Sequence, residues 1–588
     1  MTASPNDTLT DDDIAFLQDI IQARDHLDIE QGALILLMLH NQYAHDEIAV
    51  AMHIDPQTVE HWASFWQTHT VADLALLKIR ALEPRLRPLL PADLYADFWT
   101  DPSQLTLERC FNHLRTLLKI LHDHVPQHVR ERSATPGDVG HKWMSSTLLF
   151  TDLAGFTPFM EAHAVAGAEG AEGLLTILNR YFAKMIDIIN QSGGTMLEFT
   201  GDAILAEFPR QEAAVDLASA IRAGLRMQRA MADFQDIQTP RGVFSLGMRV
   251  GVHRAEYLTL DIGTPSRMEH VLLGDDVRQT KLAEGAGKIG IVCITQAAYE
   301  QLGTSSEAFV IRQSPNPGYW LIWDMYNAAD LGDYDLTSTV GRRFKAPLLT
   351  ERNVQALSRE IEMLVRDAEP LMSYLPARVV SMLVENAGER RIPPNFPVST
   401  VLFAKLFGIA EAVKTMAAGH ENTLARLFSR VFTRINAVVD QQDGILKTIT
   451  YQASGSDILI FFGVPSERRD DVERAVRTAI AIRDIVAQTP PLLIADQEVR
   501  LSVRMGLARG AVFAAEIGLP RGRREYNIIG DDVNIAARLM GHQETDYAIL
   551  VSQAVYNHTS TLFDWELVGS MALKGKAREM PVYGLQNT

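Results

Sequence analysis

Four short stretches carry side chains suited to chemistry on phosphates. Asp152 follows the apolar run Leu148-Leu149-Phe150 at a strand end, and Asp202 follows Gly201 in a tight turn leading into the apolar run AILAEF. Two carboxylates converging from adjacent strands can hold a pair of Mg²⁺ or Mn²⁺ ions through hard oxygen ligands. Such ions lower the pKa of an attacking hydroxyl and offset charge that builds on phosphate oxygens. The plainer alternative is a pair of turn-forming aspartates. After the first aspartate come Gly155, Phe156 and Thr157. The glycine lets a backbone approach closely, and free amides at the start of the next helix can bind phosphate; an ordinary strand-to-helix turn is the alternative. Asn534 and Arg538 stand four apart on a helical stretch and so share one face. The rigid donor fork of an arginine matches phosphate oxygens.

These residues belong to two unequal copies of one pattern. TLLFTDLAGF (147–156) is echoed by TVLFAKLFGI (400–409), and each is followed by a helical stretch ending at Phe182 or Phe432, with a glycine, Gly194 or Gly444, twelve residues further on. AILAEFP (203–209) pairs with DILIFFG (457–463), LGMRVGVHRA (246–255) with LSVRMGLARG (501–510), and GDDVRQTKL (274–282) with GDDVNIAARL (530–539). Strand-like runs alternate with amphipathic helices in both copies, which predicts an α+β fold, a sheet covered on one side by helices, at about 145–335 and 397–586. Residues 336–396 read as a mostly helical linker interrupted at Pro370 and Pro376, ending in the extended ERRIPPNFP.

In sequence the chain resembles the class III nucleotidyl cyclases. FTDLAGFT (150–157) and FTGDAILAEF (199–208) in the first copy, with YNIIGDDVNIAARL (526–539) and LKGKAREMPVYGL (573–585) in the second, carry the resemblance, and the tandem layout is similar to that of the bicarbonate-responsive soluble adenylyl cyclases. The resemblance implies two tandem cyclase domains, each with a ferredoxin-like βαββαβ core, paired head to tail as a pseudo-heterodimer. It implies ATP as substrate, cyclic AMP and pyrophosphate as products, and two divalent ions, Mg²⁺ or Mn²⁺, on Asp152 and Asp202. It gives Arg249 the role of a phosphate anchor, Asn534 that of orienting the ribose, and Arg538 that of stabilising the pentavalent phosphorane. Lys576 matches a lysine that meets the terminal phosphates; an exposed loop lysine is the alternative.

The copies have lost complementary parts. Lys405 stands where Asp152 stands and Ser456 takes the place of Asp202, although the neighbouring Asp457 leaves that register open. Arg278 and Leu282 stand where Asn534 and Arg538 stand. One complete cleft therefore needs the ion ligands of the first copy and the clamp of the second. For the base, Lys447 resembles the lysine that meets an adenine ring nitrogen, where guanylyl cyclases resembling this layout carry Glu. Asn527 takes the acceptor position, and its amide suits either adenine N6 or guanine O6. The other cleft, built from Lys405, Ser456, Glu198, Arg278 and Leu282, has Glu198 where the bicarbonate-binding relatives carry Lys, which would repel an anion.

The remaining sequence sets bounds. With 588 residues, several domains are expected. HDEIAVAMHIDPQTVEHWASFW (45–66) resembles a helix-turn-helix unit within a helical module at 1–80, followed by a helical linker at 81–144. Its second helix offers Glu60 and His61 where a DNA reader offers Arg, Lys or Asn, which favours a protein partner over nucleic acid. A formal charge of -18 also disfavours broad contact with nucleic acid or acidic membranes. Cys110 and Cys293 are too few for a disulfide framework. No apolar run reaches membrane-spanning length and the first residues lack a secretion signal, so a cytoplasmic location is expected. A guanylate cyclase and a catalytically inactive nucleotide-binding signalling protein are the competing readings.

Overall fold

In the computed structural model, the described residues are 9–23, 26–131, 135–208, 212–325, 327, 331, 352–415, 419–452, 455–494, 497–518, 522–542, 546–571 and 579–586. The apolar run before Asp152 lies in the strand Gly140–Ala154, and the one after Asp202 in the strand Ala203–Phe208. They are adjacent and antiparallel, with Thr151 opposite Ile204. The sheet runs Thr195–Thr200, Ala203–Phe208, Gly140–Ala154, Gly247–Thr264, Val292–Thr295, Tyr319–Trp323, Val310–Gln313, and Arg267–Leu273 pairs separately with Gly247–Thr264. The second copy repeats the order: Ile445–Gln452, Gly455–Phe462, Val398–Phe407, Ser502–Ala511, Ile549–Ser552, Met580–Leu585, Trp565–Met571. Its hairpin Phe513–Gly518 and Arg524–Ile529 stands as a separate ribbon.

Leu148, Leu149 and Phe150 are all buried because the strand is covered on both faces. Leu149 and Leu153 pack with the first copy's own helices through Leu178, Phe182 and Ile221. Leu148 and Phe150 turn to the other face, where Tyr257, Leu260 and Val271 share one core with Leu402, Phe428 and Phe432 of the second copy. The converse contact is made by Phe513, Ala515, Ile517 and Ile529, which lie in the first copy's core. Matching hydrogen bonds accompany this exchange. Gly263 N donates to Ser429 Oγ at 3.0 Å, and Gly518 N donates to Asn179 Oδ1 at 3.1 Å. Both glycines have positive φ, +129° and +116°, and a Cβ on Gly518 would sit 2.1 Å from the Arg523 carbonyl oxygen.

The chain forms two compact units. One comprises residues 1–121, 344–369 and 381–390, and the other 122–343, 370–380 and 391–588. Both cyclase-like copies lie in the latter. In the first unit the helices His45–Met52 and Pro56–Thr68 flank a turn in which Asp55 Oδ1 accepts from Gln57 N at 2.9 Å, with Pro56 opening the second helix. Trp62 crosses the helix Leu27–His40 at Gly32, where any Cβ would meet the indole at 2.6 Å. Glu60 and His61 are exposed. Pro370 does not interrupt the linker helix as expected from sequence; the helix Val354–Ser373 runs through it and ends before Pro376. Near a C-terminus proline removes one hydrogen bond, here the one that would reach the Arg366 carbonyl, and Ser373 Oγ caps the Pro370 carbonyl at 2.8 Å.

Candidate active site

Asp152 and Asp202 stand at one end of their paired strands, and a third carboxylate, Glu284, joins them from the helix Asp275–Ala286. Burial and then the charge of Asp152 push the carboxyls of Asp202 and Glu284 up to about 7. Crowded hard-oxygen groups of like charge are what a divalent cation relieves, so Asp152 and Asp202 fit the ion pair expected of them. Among the described residues no group of three or more His, Cys, Asp or Glu is arranged to hold a metal. Arg249 lies opposite Asp152 on the neighbouring strand. Its Nη2 is hydrogen-bonded to Asp152, and its Nε lies 2.7 Å from Glu284 Oε1.

The Gly155 backbone, at φ +87°, turns the strand into the helix Phe156–Ala164; a Cβ there would come 2.8 Å from the Ser245 carbonyl oxygen. Gly155 offers no side-chain cap to the first-turn amides. The Phe156 ring is buried against Phe159, so only its backbone amide is suited to phosphate, and Thr157 is half-buried beside it.

Two residues of the second copy reach the turn that carries Asp202 and the strand that leads into it. Asn527, fully buried, donates through Nδ2 to the Gly201 carbonyl at 3.1 Å. Lys447 Nζ donates to the Phe199 carbonyl at 3.2 Å and lies 3.3 Å from Glu525 Oε2. Lys447 sits on a bulge between Leu446 and Thr448, which aims its side chain out of the ladder. Asn534 and Arg538 are exposed on one face of the helix Asp531–Gly541, whose other face buries Ile535, Ala536, Leu539 and Met540. Lys576 lies outside the described residues.

Sheet register settles the ambiguity at Asp457. Ile204 faces Thr151 and Ile458 faces Ala404, so Lys405 stands at the place of Asp152, Asp457 at that of Ala203, and Ser456 at that of Asp202. Lys405 Nζ lies 3.4 Å from Asp457 Oδ1, a contact that would oppose an ion. Burial pushes the Asp457 carboxyl up to about 6, against the pull of Lys405 and Lys281. Burial also lowers the pKa of Lys281, against the pull of Glu198 and Asp457. Arg278 is paired with Asp275 at 2.8 Å. Register also corrects the placing of Glu198 at the lysine position: Leu197 sits on the bulge that matches Lys447, and Glu198 matches Thr448. Sequence reasoning did not find Glu284, Glu525 or Lys281; the signal available for Glu284 was its replacement by Met540 in the second copy.

The tandem sheets, the carboxylate pair and its neighbours define a nucleotidyl cyclase architecture, and comparison with known proteins agrees. Residues 141–316 and 394–587 match the adenylate and guanylate cyclase catalytic domain, together more than half the chain. The chain belongs to that class III nucleotidyl cyclase family and carries two of its catalytic domains in tandem. It is 22% identical over 479 residues to the mouse protein named adenylate cyclase type 10, covering 80% of this chain and 28% of the relative. It is 34% identical over 170 residues to the terminal-differentiation-specific adenylate cyclase of Dictyostelium discoideum, covering 29% of this chain and 8% of the relative. The chain thus spans under a third of the length of these relatives. Among solved structures, a class III adenylyl cyclase-like ATP-binding protein from Pseudomonas aeruginosa aligns with a TM-score of 0.48 at 13% identity, covering 77% of this chain and 93% of that one.

Proposed function

We propose that the chain is an adenylate cyclase whose single working cleft is formed by its two cyclase domains paired head to tail, each with a ferredoxin-like core. The observation that carries this reading is the reach of Asn527 to the backbone of the Asp202 turn at 3.1 Å and of Lys447 to the strand that leads into it at 3.2 Å. The exchange of core residues between the copies supports the pairing. In this cleft Asp152 and Asp202 would hold two Mg²⁺ or Mn²⁺ ions, which supply Lewis acidity for the ribose 3'-hydroxyl and offset triphosphate charge. The amides after Gly155, with Arg249 and Lys576, receive the phosphates. Asn534 orients the ribose, and the Arg538 fork meets the equatorial oxygens as the α-phosphorus becomes pentavalent. Pyrophosphate leaves as the 3'-oxygen bond forms, and the hydroxyl proton passes to solvent water. Lys447 favours adenine by donating to a ring nitrogen, and Asn527, whose Oδ1 accepts from Ile528 N at 2.9 Å, turns its second lone pair to the exocyclic amine.

ATP as substrate and a protein partner for the helical module are parts of this proposal. Product identification by mass, from an ATP and GTP mixture with Mn²⁺, tests it: cyclic AMP and pyrophosphate are expected, and Asp152→Ala should abolish both without lowering the melting temperature. Cyclic GMP as the main product would make the chain a guanylate cyclase. Nucleotide binding with no cyclic product would make it a sensor.

A further inference from the structure

Arg249 has two carboxylate partners with different prospects. Asp152 is an ion ligand in the proposed cleft, and ions on its oxygens compete with the Arg249 Nη2 that now holds Oδ2. Glu284 meets the other edge of the guanidinium as an ion pair, Oε1 lying 2.7 Å from Nε without the alignment of a hydrogen bond. Its position is fixed by close backbone packing: a Cβ on Gly251 would meet Glu284 N at 2.2 Å, so the helix Asp275–Ala286 lies directly on the Arg249 strand. The second copy has the same packing, with Gly506 against Met540 N at 2.4 Å. There the acid is absent, and Arg504, the counterpart of Arg249, lies over the Phe407 ring at 5.9 Å from its centroid. The copy with ion ligands therefore has an acid behind its arginine, and the copy without them has a thioether.

We infer that Glu284 is a positioning residue: it retains Arg249 by Nε when ions take Asp152, so that the freed Nη edge turns to the phosphates. This rests on Asp152 and Asp202 being the ion ligands. Without a second carboxylate, release from Asp152 would leave the guanidinium unpaired in a partly buried site, and Arg249 would compete harder with the ion. Charge alone could also account for an effect of Glu284, and Glu284→Asp separates the two ideas because it keeps the charge but withdraws it by one methylene.

The test is Mn²⁺ binding to the full chain without nucleotide, followed by electron paramagnetic resonance, in wild type, Asp152→Ala, Glu284→Gln, Glu284→Asp and Glu284→Asp/Arg249→Ala. Expected are binding by wild type that Asp152→Ala removes, a loss of about tenfold in affinity for both Glu284 variants, in the range of residues that orient a ligand, and recovery in the double variant. In turnover, Glu284→Asp should raise KM for the Mn²⁺–nucleotide complex more than it lowers kcat. Wild-type affinity in Glu284→Asp overturns the role of Glu284 alone, as does a loss that removal of Arg249 does not restore. Wild-type binding that does not depend on Asp152 overturns the ion reading and this inference together.

Discussion

At the scale of single residues, the candidates that sequence could name are those where residue type and local pattern coincide. Asp152 and Asp202 sit in short runs whose type and placement suggest ion binding, whereas the proposed base-reading roles of Asn527 and Lys447 come from the family resemblance alone. Glu284 was not legible, because its meaning lies in a contact with Arg249 across 35 positions of chain. Nothing near Glu284 in sequence announces that partner. Lys447 is almost fully enclosed and tied to Glu525, so its ammonium is held in place in the folded chain. Lys447→Ala should raise KM for ATP about tenfold, the equivalent of one charge-assisted hydrogen bond, and narrow the preference for ATP over GTP; steady-state rates with each nucleotide check this. Asp457 makes a different prediction. Its carboxyl is raised to about 6 from an ordinary value near 3.8, so the folded protein holds the proton more tightly than the unfolded chain. The stability it contributes is full below the unfolded value and is lost as pH rises through about 6. Melting temperatures of Asp457→Asn should therefore fall less than those of wild type between pH 4.5 and 7.

At the scale of elements, the repeat predicted which segments correspond, and the two sheets share one strand order. The strand pair Phe513–Gly518 and Arg524–Ile529 was harder to foresee. Its strand pattern is ordinary, and only long-range packing decides that its apolar face enters the other copy's core. Pro370 shows the same limit in a helix, since a local rule expected a break where a single lost hydrogen bond was tolerated near the end. The hairpin also yields a sharp stability test. Gly518→Ala places a methyl 2.1 Å from a backbone oxygen at positive φ, and should cost about 2–4 kcal/mol by denaturant unfolding. Gly541→Ala, at a helix end with nothing within 4 Å of the added atom, should change stability by less than about 1 kcal/mol.

At the scale of the whole molecule, complementary loss is the organising fact. Register puts Lys405 and Ser456 in the places of the two aspartates, while Arg278 and Leu282 replace the asparagine and arginine of the other copy. Two copies drifting without function would have no reason to lose different halves. Tandem architecture and family were legible from ordered motifs, whereas the task of the amino-terminal helices was not, because exposed Glu60 and His61 specify no ligand. No helix among the described residues is long and apolar enough to cross a membrane. The shared cleft is tested most directly by cyclic AMP formation in Asp152→Ala and Arg538→Ala, assayed separately and as an equimolar mixture. A cleft that draws both of its walls from one chain cannot be repaired by a second chain, so each variant, and the mixture, should stay at background. Substantial activity in Arg538→Ala alone, or recovery on mixing, would contradict it.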